Sequence, residues 1–357
     1  MAFTFVLGLA ALFQVVAVLL ALRLNTIYRR RYAWLFISGA GILMTLWIGA
    51  GLFETIQDPP GQVVWEPTLW VQTLATLLTA ILFFSGIATI EPLFKENEAA
   101  RALLATENAM LNREVQHSRE EMQLAQRVQA NLLPKHAPDF PGLDIAFLSR
   151  PAEWTSGDYF DFVQIDEDTL IVTVADVCGH GLGPALLMTT SRSYFRGIAR
   201  TRKECQPIVN TWNHAIAEDI EAGDFMTALV VRLDLAQKRI EYLGAGQNGL
   251  LIQPDGSHEE LERSGPPLGV LDDFQYPGPQ ALPLESGQIL VLCTDGIHET
   301  MGHDETQFGT QRIADLISQH RDRNAAELVE KLAAEVRSFA ADPRPQDDLT
   351  AVVIKIK

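Results

Sequence analysis

The sequence is poor in cysteine and in positive charge, and each shortage excludes a class of protein. Its three cysteines, Cys178, Cys205 and Cys293, lack the spacing of a zinc site or a redox pair, so we expect a reducing compartment. The 28 Lys and Arg residues are outnumbered by 45 Asp and Glu, and the net charge of -17 comes without a basic block. Because nucleic-acid binding requires neutralisation of phosphates, we expect no nucleic-acid partner.

Two signatures of phosphate chemistry are also missing. The chain has no Cys-x5-Arg loop for a covalent phosphatase intermediate, and Cys178 has only His180 nearby to activate it. It also has no glycine-rich Walker loop and no paired cyclase signature. A cysteine-dependent phosphatase and a two-metal nucleotide enzyme such as a cyclase are therefore disfavoured.

Charged residues are scarce in three stretches near the N-terminus. Residues 2–22, 33–53 and 68–90 are apolar, and each is close to the about 20 residues that a helix needs to cross a bilayer. A cleaved signal peptide is the alternative for the first stretch, but it lacks a basic start and two more apolar stretches follow. We predict that residues 1–91 form a membrane region with three transmembrane helices.

The loops between these stretches differ in positive charge. The second loop, Glu54 to Glu66, has no Lys or Arg, whereas the first carries Arg23, Arg29, Arg30 and Arg31. The positive-inside rule then places the N-terminus outside and everything after residue 91 in the cytoplasm. The outer loop is too short to fold as a sensor domain.

Residues 92–134 are predicted to form a helical linker. They contain no glycine and are rich in strong helix formers, and Pro134 ends the helix. Apolar residues fall near a heptad seam, and polar Asn108 and Ser118 interrupt it; the seam residues are Leu104, Leu111, Val115, Met122 and Ala125. A parallel two-stranded coiled coil would make the protein a homodimer through residues 92–133. The alternative is a single amphipathic helix that lies on the following domain.

Residues 135–357 read as an α+β domain. Short turns between successive strands favour antiparallel pairing, with the helices grouped outside the sheets. Strands are expected at about 159–165, 170–174, 225–235, 238–244, 248–253, 288–294 and 349–356, and helices from Gly183 and at about 207–221, 308–319 and 324–340.

Aspartates stand at the ends of four predicted strands. Asp158 and Asp176 flank a predicted hairpin, whose open ends meet at one edge of a sheet, and nearby glycines allow close approach of the main chain. Asp295 follows the apolar strand 288–294, and Asp347 precedes the last strand. A strand-end aspartate is often only part of a turn. Four together predict a site for magnesium or manganese.

The order of the motifs resembles the PPM family of metal-dependent serine/threonine phosphatases, which are similar to protein phosphatase 2C. The match is to the bacterial branch of stage II sporulation and stress-response phosphatases, and it covers about residues 122–357. The motifs in chain order are Gly-Asp-Tyr-Phe-Asp, Ala-Asp-Val-Cys-Gly-His-Gly, Gly-Ala-Gly-Gln-Asn, Pro-Pro-Leu-Gly-Val, Thr-Asp-Gly-Ile-His-Glu and Asp-Asp-Leu-Thr. The resemblance implies two antiparallel sheets flanked by helices, an αββα sandwich.

The resemblance also implies roles for the site residues. Asp176 would bridge two Mn²⁺ or Mg²⁺ ions with the Val177 carbonyl as a further ligand, Asp158 would hold one ion, and Asp295 and Asp347 would hold the other. Two ions about 4 Å apart can orient a water and lower its pKa for attack on a phosphomonoester. His180 would be a general acid for the leaving oxygen or would brace its loop. Asp161 and Asp348 would support the ligands or act as capping residues, and Val128, Leu132 and Leu133 of the linker would contact the domain.

Three motifs depart from the family pattern at four positions. Residues 155–157 read Thr-Ser-Gly where Val-Gly-Gly is usual, Cys178 stands where Ser is usual, and Gln247 stands where His is usual. No predicted metal ligand is lost, so the site is expected to be intact. The role of Gln247 stays open.

The sequence thus predicts a membrane-anchored, metal-dependent protein serine/threonine phosphatase. By resemblance, its substrate is a phosphorylated cytoplasmic regulatory protein such as an anti-sigma-factor antagonist, and it lies in the bacterial cytoplasmic membrane. The alternative is a catalytically silent regulator that binds its partner through a degenerate phosphatase fold. The four retained aspartates argue against that alternative.

Overall fold

The protein is described by a computed structural model that covers residues 67–357 except Ala222 and Pro343, and isolated residues between Phe5 and Gly49. The predicted spans 2–22 and 33–53 lie largely outside the described residues. No helix in the described part of the chain combines the length and apolar character of a membrane span. The chain divides into two compact units, Met1–Val115 and Gln116–Lys357.

Helix α1, Pro67–Leu132, is continuous through Pro92 and across the predicted boundary between membrane region and linker. It ends two residues before Pro134, as the missing amide of proline predicts. Of the predicted seam, Leu104, Leu111 and Val115 are exposed in the single chain.

The second unit contains two sheets. Its strands are β1 Leu143–Arg150, β2 Asp158–Gln164, β3 Thr169–Val177, β4 Met226–Asp234, β5 Arg239–Ala245, β6 Gly249–Ile252, β7 His258–Leu261, β8 Arg263–Gly265, β9 Gln280–Pro283, β10 Ile289–Cys293 and β11 Leu349–Ile356. Its further helices are α2 Leu182–Arg202, α3 Cys205–Asp219, α4 Asp295–His298, α5 Gly309–Gln319 and α6 Ala325–Phe339.

One sheet has the order β1-β11-β10-β6-β7, and the other has the order β2-β3-β4-β5-β8, with β9 also paired to β5. All pairs are antiparallel except β5 with β8. The predicted antiparallel pairing of sequence neighbours is therefore confirmed for most of the domain.

Three layers of apolar contact make the sandwich. The inner layer joins the two sheets, for example Val172 and Leu229 with Leu290 and Val352. The first outer layer packs the β2-to-β8 sheet on α2 and α3, and the second packs the other sheet on α5 and α6. Strand β3 serves two layers because alternate side chains point to opposite faces of a sheet. The predicted αββα arrangement is confirmed.

Several predictions about elements need correction. Strands β1, β7, β8 and β9 were not predicted, and the Asp295-Gly296 turn begins the short helix α4. β1 is an edge strand with a half-buried, irregular pattern rather than a strict alternation, so its periodicity is weak. Helix α2 begins at Leu182, one residue before the predicted Gly183.

Candidate active site

The hairpin of β2 and β3 brings the first two aspartates together. Asp158 is the cross-strand partner of Asp176, so the predicted meeting of the two residues at one sheet edge is confirmed. The Asp158 side chain is buried, and its Oδ2 accepts a hydrogen bond from the Thr294 hydroxyl at 2.9 Å. This hydrogen bond links Asp158 at the start of β2 to the end of β10.

Thr294 also links this point to β11. Its hydroxyl oxygen accepts a hydrogen bond from the Thr350 amide at 3.1 Å, and its own amide donates to the Thr350 carbonyl at 3.0 Å. Since Thr294 directly precedes Asp295, the strand that carries the third aspartate is fixed relative to Asp158. Thr294 therefore links Asp158 of one sheet to β10 and β11 of the other sheet.

Close packing brings the Asp295 and Asp347 segments together. A Cβ atom on Gly296 would lie 2.1 Å from the Asp348 carbonyl oxygen and 3.2 Å from the Asp347 Cβ. Only glycine therefore fits beside Asp295 without displacing the main chain that carries Asp347. The Asp347 Oδ1 accepts the Asp348 amide at 2.8 Å, which fixes its carboxylate at the start of β11.

Asp348 holds the loop that leads into Asp158. Its Oδ2 accepts the Gly157 amide at 2.9 Å, and its Oδ1 accepts the Ala152 amide at 2.7 Å. The carboxylate thus spans from β11 of one sheet to the approach of β2 in the other. This contact gives Asp348 a supporting position next to the predicted ligands.

Gly157 lets two loops approach each other closely. The Val177 amide donates to the Gly157 carbonyl at 3.3 Å. A Cβ at Gly157 would lie 2.7 Å from the Val177 carbonyl oxygen and 3.1 Å from the Asp176 Oδ1. A side chain at this position would therefore displace the two groups that the resemblance assigns to the metals.

Burial and mutual repulsion raise the pKa values of several carboxyl groups at the site. Burial raises the pKa of Asp158 to about 8, and burial followed by repulsion from Asp158, Asp295, Asp347 and Asp348 raises the pKa of Asp176 to about 9. Partial burial also raises the pKa of Asp347, whose surface is otherwise open to solvent. Such a concentration of desolvated carboxyl groups favours an environment with compensating positive charge. Carboxylate and main-chain carbonyl oxygens are the donors that magnesium and manganese prefer, so the residues fit a hard divalent cation.

The ligand assignment itself stays a prediction. Within the described residues, no three His, Cys, Asp or Glu side chains stand at the spacing of a ready metal site.

His180 lies on the loop between β3 and α2. Its side chain is 81% exposed, and its Nδ1 is 3.4 Å from a carboxylate oxygen of Glu153. Cys178 on the same loop accepts a hydrogen bond from the Phe225 amide through its sulfur. The choice between a general acid and a loop brace therefore stays open for His180.

Asp161 connects the hairpin to α2. It is buried, and it accepts hydrogen bonds from the Tyr159 hydroxyl and the Phe162 amide, both at 2.8 Å. Arg196 of α2 forms an ion pair with it at 3.1 Å. Burial raises the pKa of Asp161 despite these partners.

Two glutamines beside the site were missed or left open by sequence reasoning. Gln247 is buried between the sheets, where its Nε2 donates to the Cys293 carbonyl at 2.6 Å and its Oε1 accepts from the Thr227 hydroxyl at 2.8 Å. Thr227 is the cross-strand partner of Asp176 on β4. Gln129 of α1, one heptad after the seam residue Met122, contacts Ser156, and its polar side chain gave no signal for a buried contact.

A cleft adjoins the C-terminal pair of aspartates. It has a volume of about 480 Å³, and Gly296 and Asp347 lie in its wall together with Arg150 and Arg337. Apolar side chains such as Val336 form part of the lining. The cleft therefore offers both cationic and apolar groups next to the predicted metal ligands.

Known proteins resemble about two thirds of this chain. Phosphoserine phosphatase RsbU of Bacillus subtilis (strain 168) is 28% identical over 247 residues, 68% of this chain and 72% of that protein. Phosphoserine phosphatase RsbP of the same organism is 26% identical over 246 residues, 68% of this chain and 59% of that protein. The structure of the SiaA-PP2C domain of Pseudomonas aeruginosa matches with a TM-score of 0.61 and 21% identity, covering 68% of this chain and 98% of that chain.

The fold and these relatives define a PPM-type, protein phosphatase 2C-like serine/threonine phosphatase. A family model described as stage II sporulation protein E (SpoIIE) matches residues 166–357, which is more than half of the chain. The chain belongs to the SpoIIE family, and the resemblance predicted from its motifs is confirmed.

Proposed function

We propose that this protein is a metal-dependent phosphatase that hydrolyses phosphoserine or phosphothreonine on a regulatory protein. The observation that carries the proposal is the convergence of Asp158, Asp176, Asp295 and Asp347 from separate strand ends, where burial and then mutual repulsion raise the pKa of Asp176. A catalytically silent binding module would have no need for this costly crowding of carboxyl groups around the buried Asp158.

The roles of the residues follow the sequence prediction. Asp176 would hold both ions with the Val177 carbonyl as a further ligand, Asp158 would hold one ion, and Asp295 and Asp347 would hold the other. Two bound Mn²⁺ or Mg²⁺ ions would supply an activated water and neutralise the phosphoryl oxygens. Thr294 and Asp348 would keep Asp158 and its loop in place through the hydrogen bonds described above. His180 would donate a proton to the leaving oxygen or brace its loop.

The substrate proposal draws on the relatives. RsbU and RsbP are named phosphoserine phosphatases. We propose a phosphorylated cytoplasmic regulator, such as an anti-sigma-factor antagonist, whose flanking residues enter the cleft beside Asp347. The mixture of Arg150, Arg337 and apolar wall residues there suits a peptide segment that carries a phosphate.

Membrane attachment and dimerisation remain part of the proposal. The three apolar stretches and the arginine-rich first loop support a multi-pass protein of the bacterial cytoplasmic membrane, with the phosphatase in the cytoplasm. The exposed seam residues Leu104, Leu111 and Val115 support a coiled-coil homodimer, since an apolar helix face gains stability when a partner covers it.

The proposal is tested by phosphate release from phosphorylated candidate regulators with residues 92–357, in the presence and absence of Mn²⁺. We expect release from phosphoserine or phosphothreonine only when the metal is present. Tight binding of a phosphorylated regulator without any release, at any metal concentration, would favour the silent binding module instead.

A further inference from the structure

Gln129 makes the most enclosed polar contact between α1 and the rest of its unit. Its side chain is 6% exposed on a helix whose neighbouring residues are mostly open to solvent. Its Nε2 donates to the Ser156 carbonyl at 2.7 Å, and its Oε1 accepts the Ser156 amide at 2.9 Å. One side-chain amide therefore satisfies both main-chain groups of a buried residue.

The partner of Gln129, Ser156, lies next to a predicted metal ligand. Ser156 is two residues before Asp158, and its own hydroxyl accepts the Asp158 amide at 3.1 Å. Gly157, between them, donates to Asp348 and accepts from Val177. Hydrogen bonds thus fix the loop Thr155–Gly157 to the Asp348 side chain before β11 and to Val177 at the end of β3. Among the described residues, Gln129 is the only residue of α1 that forms a hydrogen bond with this loop.

The contact also corrects the predicted face of the helix. Val128 was expected to touch the domain, but it is 54% exposed. Leu133, four residues after Gln129, packs on both neighbouring cores. The enclosed residues at this end of α1 are therefore Gln129 within the helix and Leu133 one residue past its end, whereas Val128 is mostly exposed.

We propose that Gln129 is a positioning residue for the metal site. Its side-chain amide fixes the loop Thr155–Gly157 so that the Asp158 carboxylate stands opposite Asp176. The inference rests on the proposed metal-dependent function. It adds a residue of α1, outside the predicted ligand set, whose effect would be on metal affinity.

The chemistry of glutamine explains why this residue type is needed. Donor and acceptor sit on one planar group and match the amide and carbonyl of Ser156. Methionine has a similar length and volume but can make neither bond, so it would leave both Ser156 groups without a partner. Glutamate keeps the acceptor, but an ionised carboxylate cannot donate to the Ser156 carbonyl.

The test compares Gln129→Met and Gln129→Glu with the matched control Gln123→Leu, which changes an exposed glutamine on the same helix. Mn²⁺ affinity of the full chain is measured by isothermal titration calorimetry without substrate, and thermal unfolding is measured without metal. Residues that orient metal ligands typically change metal affinity by about 10–100-fold, and we expect a weakening in this range for Gln129→Met. Saturating Mn²⁺ should restore the phosphate-release rate, and the control should bind like the wild type.

The outcomes separate this inference from the proposed function. If folded Gln129→Met binds Mn²⁺ as tightly as the wild type, and the wild type is active, the positioning role is overturned and the proposed function is unaffected. If Gln129→Met fails to fold, weakened but saturable Mn²⁺ binding by Gln129→Glu supports the positioning role. If neither variant folds, the positioning role is overturned and Gln129 has a purely structural role. A wild type that neither binds Mn²⁺ nor releases phosphate would overturn the proposed function itself and with it the basis of this inference.

Discussion

Single residues hold the site together through hydrogen bonds that cross between the sheets. Thr294 at the end of β10 donates to Asp158 at the start of β2, and Gln247 joins the end of β10 to β4. These bonds are buried, so each lost partner leaves a desolvated polar group. The position of the aspartates therefore depends on uncharged neighbours as much as on their own strands.

Gln247→Leu should weaken both the fold and the metal site. The change leaves the Cys293 carbonyl and the Thr227 hydroxyl without the Gln247 partner, which costs about 1–3 kcal/mol in the free energy of unfolding. For a domain of this size each kcal/mol lowers the melting temperature by about 2–4 °C. Thermal unfolding measures the first effect, and Mn²⁺ titration measures the weaker binding that we expect near Asp295.

The control for this change is Gln237→Leu, which replaces an exposed glutamine in the turn between β4 and β5. Gln247→His should fall between the wild type and Gln247→Leu, since a neutral imidazole can still donate one hydrogen bond. An unchanged melting temperature for Gln247→Leu would mean that the crossing bonds add nothing to stability.

The sequence predicted the aspartates but not the residues that support them. Asp158, Asp176, Asp295 and Asp347 could be found because each stands at the end of an apolar strand, a local pattern. The contact of Thr294 with Asp158 spans 136 positions, and that of Gln129 with Ser156 spans 27. Such pairs are set by how the sheets and α1 pack, and no local periodicity encodes that packing.

The same distinction applies at the scale of elements. Strands β3 and β10 were predicted because they are continuous apolar runs, buried on both faces between two layers. β1 was missed because it is an edge strand with irregular burial, and β8 because three residues carry no periodicity. Helices α3, α5 and α6 fall within two residues of their predicted limits, as expected for amphipathic helices.

Helix α1 is predicted to set the activity of the phosphatase through its packing in a dimer. The predicted seam slips after Ala125, which would give a coiled coil two registers of similar stability. A difference of about 1–3 kcal/mol between registers changes the active fraction several-fold to about a hundred-fold. Ser118→Leu fills a polar seam position, so it should favour one register and lock phosphate release high or low.

The matched control for Ser118→Leu is Glu120→Leu, an exposed position off the seam, and analytical ultracentrifugation reports the dimer. Leu132→Asp should instead uncouple the domain from its helix. The helix is only a tether if three proteins release phosphate at the wild-type rate: Ser118→Leu, Leu132→Asp and a fragment of residues 122–357.

At the scale of the whole molecule, the membrane topology is a separate prediction. The arginine imbalance between the first two loops places the second loop outside. A cysteine introduced by Pro60→Cys should react with a membrane-impermeant maleimide in intact cells. The matched Glu96→Cys, on the exposed surface of α1, should react only after lysis. Labelling of Pro60→Cys only after lysis would reverse the topology.

The central claim is that phosphate release depends on a divalent metal held by Asp176. Asp176 stands opposite Asp158 in the hairpin, and its carboxylate is repelled by the other aspartates. Because Asp176 interacts with all the other aspartates of the predicted ligand set, Asp176→Asn should weaken metal binding at the whole site. The matched control is Asp168→Asn, an exposed aspartate at the other end of the same hairpin.

The direct measurement is phosphate release from a phosphorylated regulator by the wild type, Asp176→Asn and Asp168→Asn, with Mn²⁺ and with EDTA. We expect wild-type turnover to require Mn²⁺, Asp168→Asn to match it, and Asp176→Asn to lose more than about 100-fold, since even residues that only orient ligands cost about 10–100-fold. Robust wild-type turnover in EDTA, or full activity of Asp176→Asn, would contradict the account.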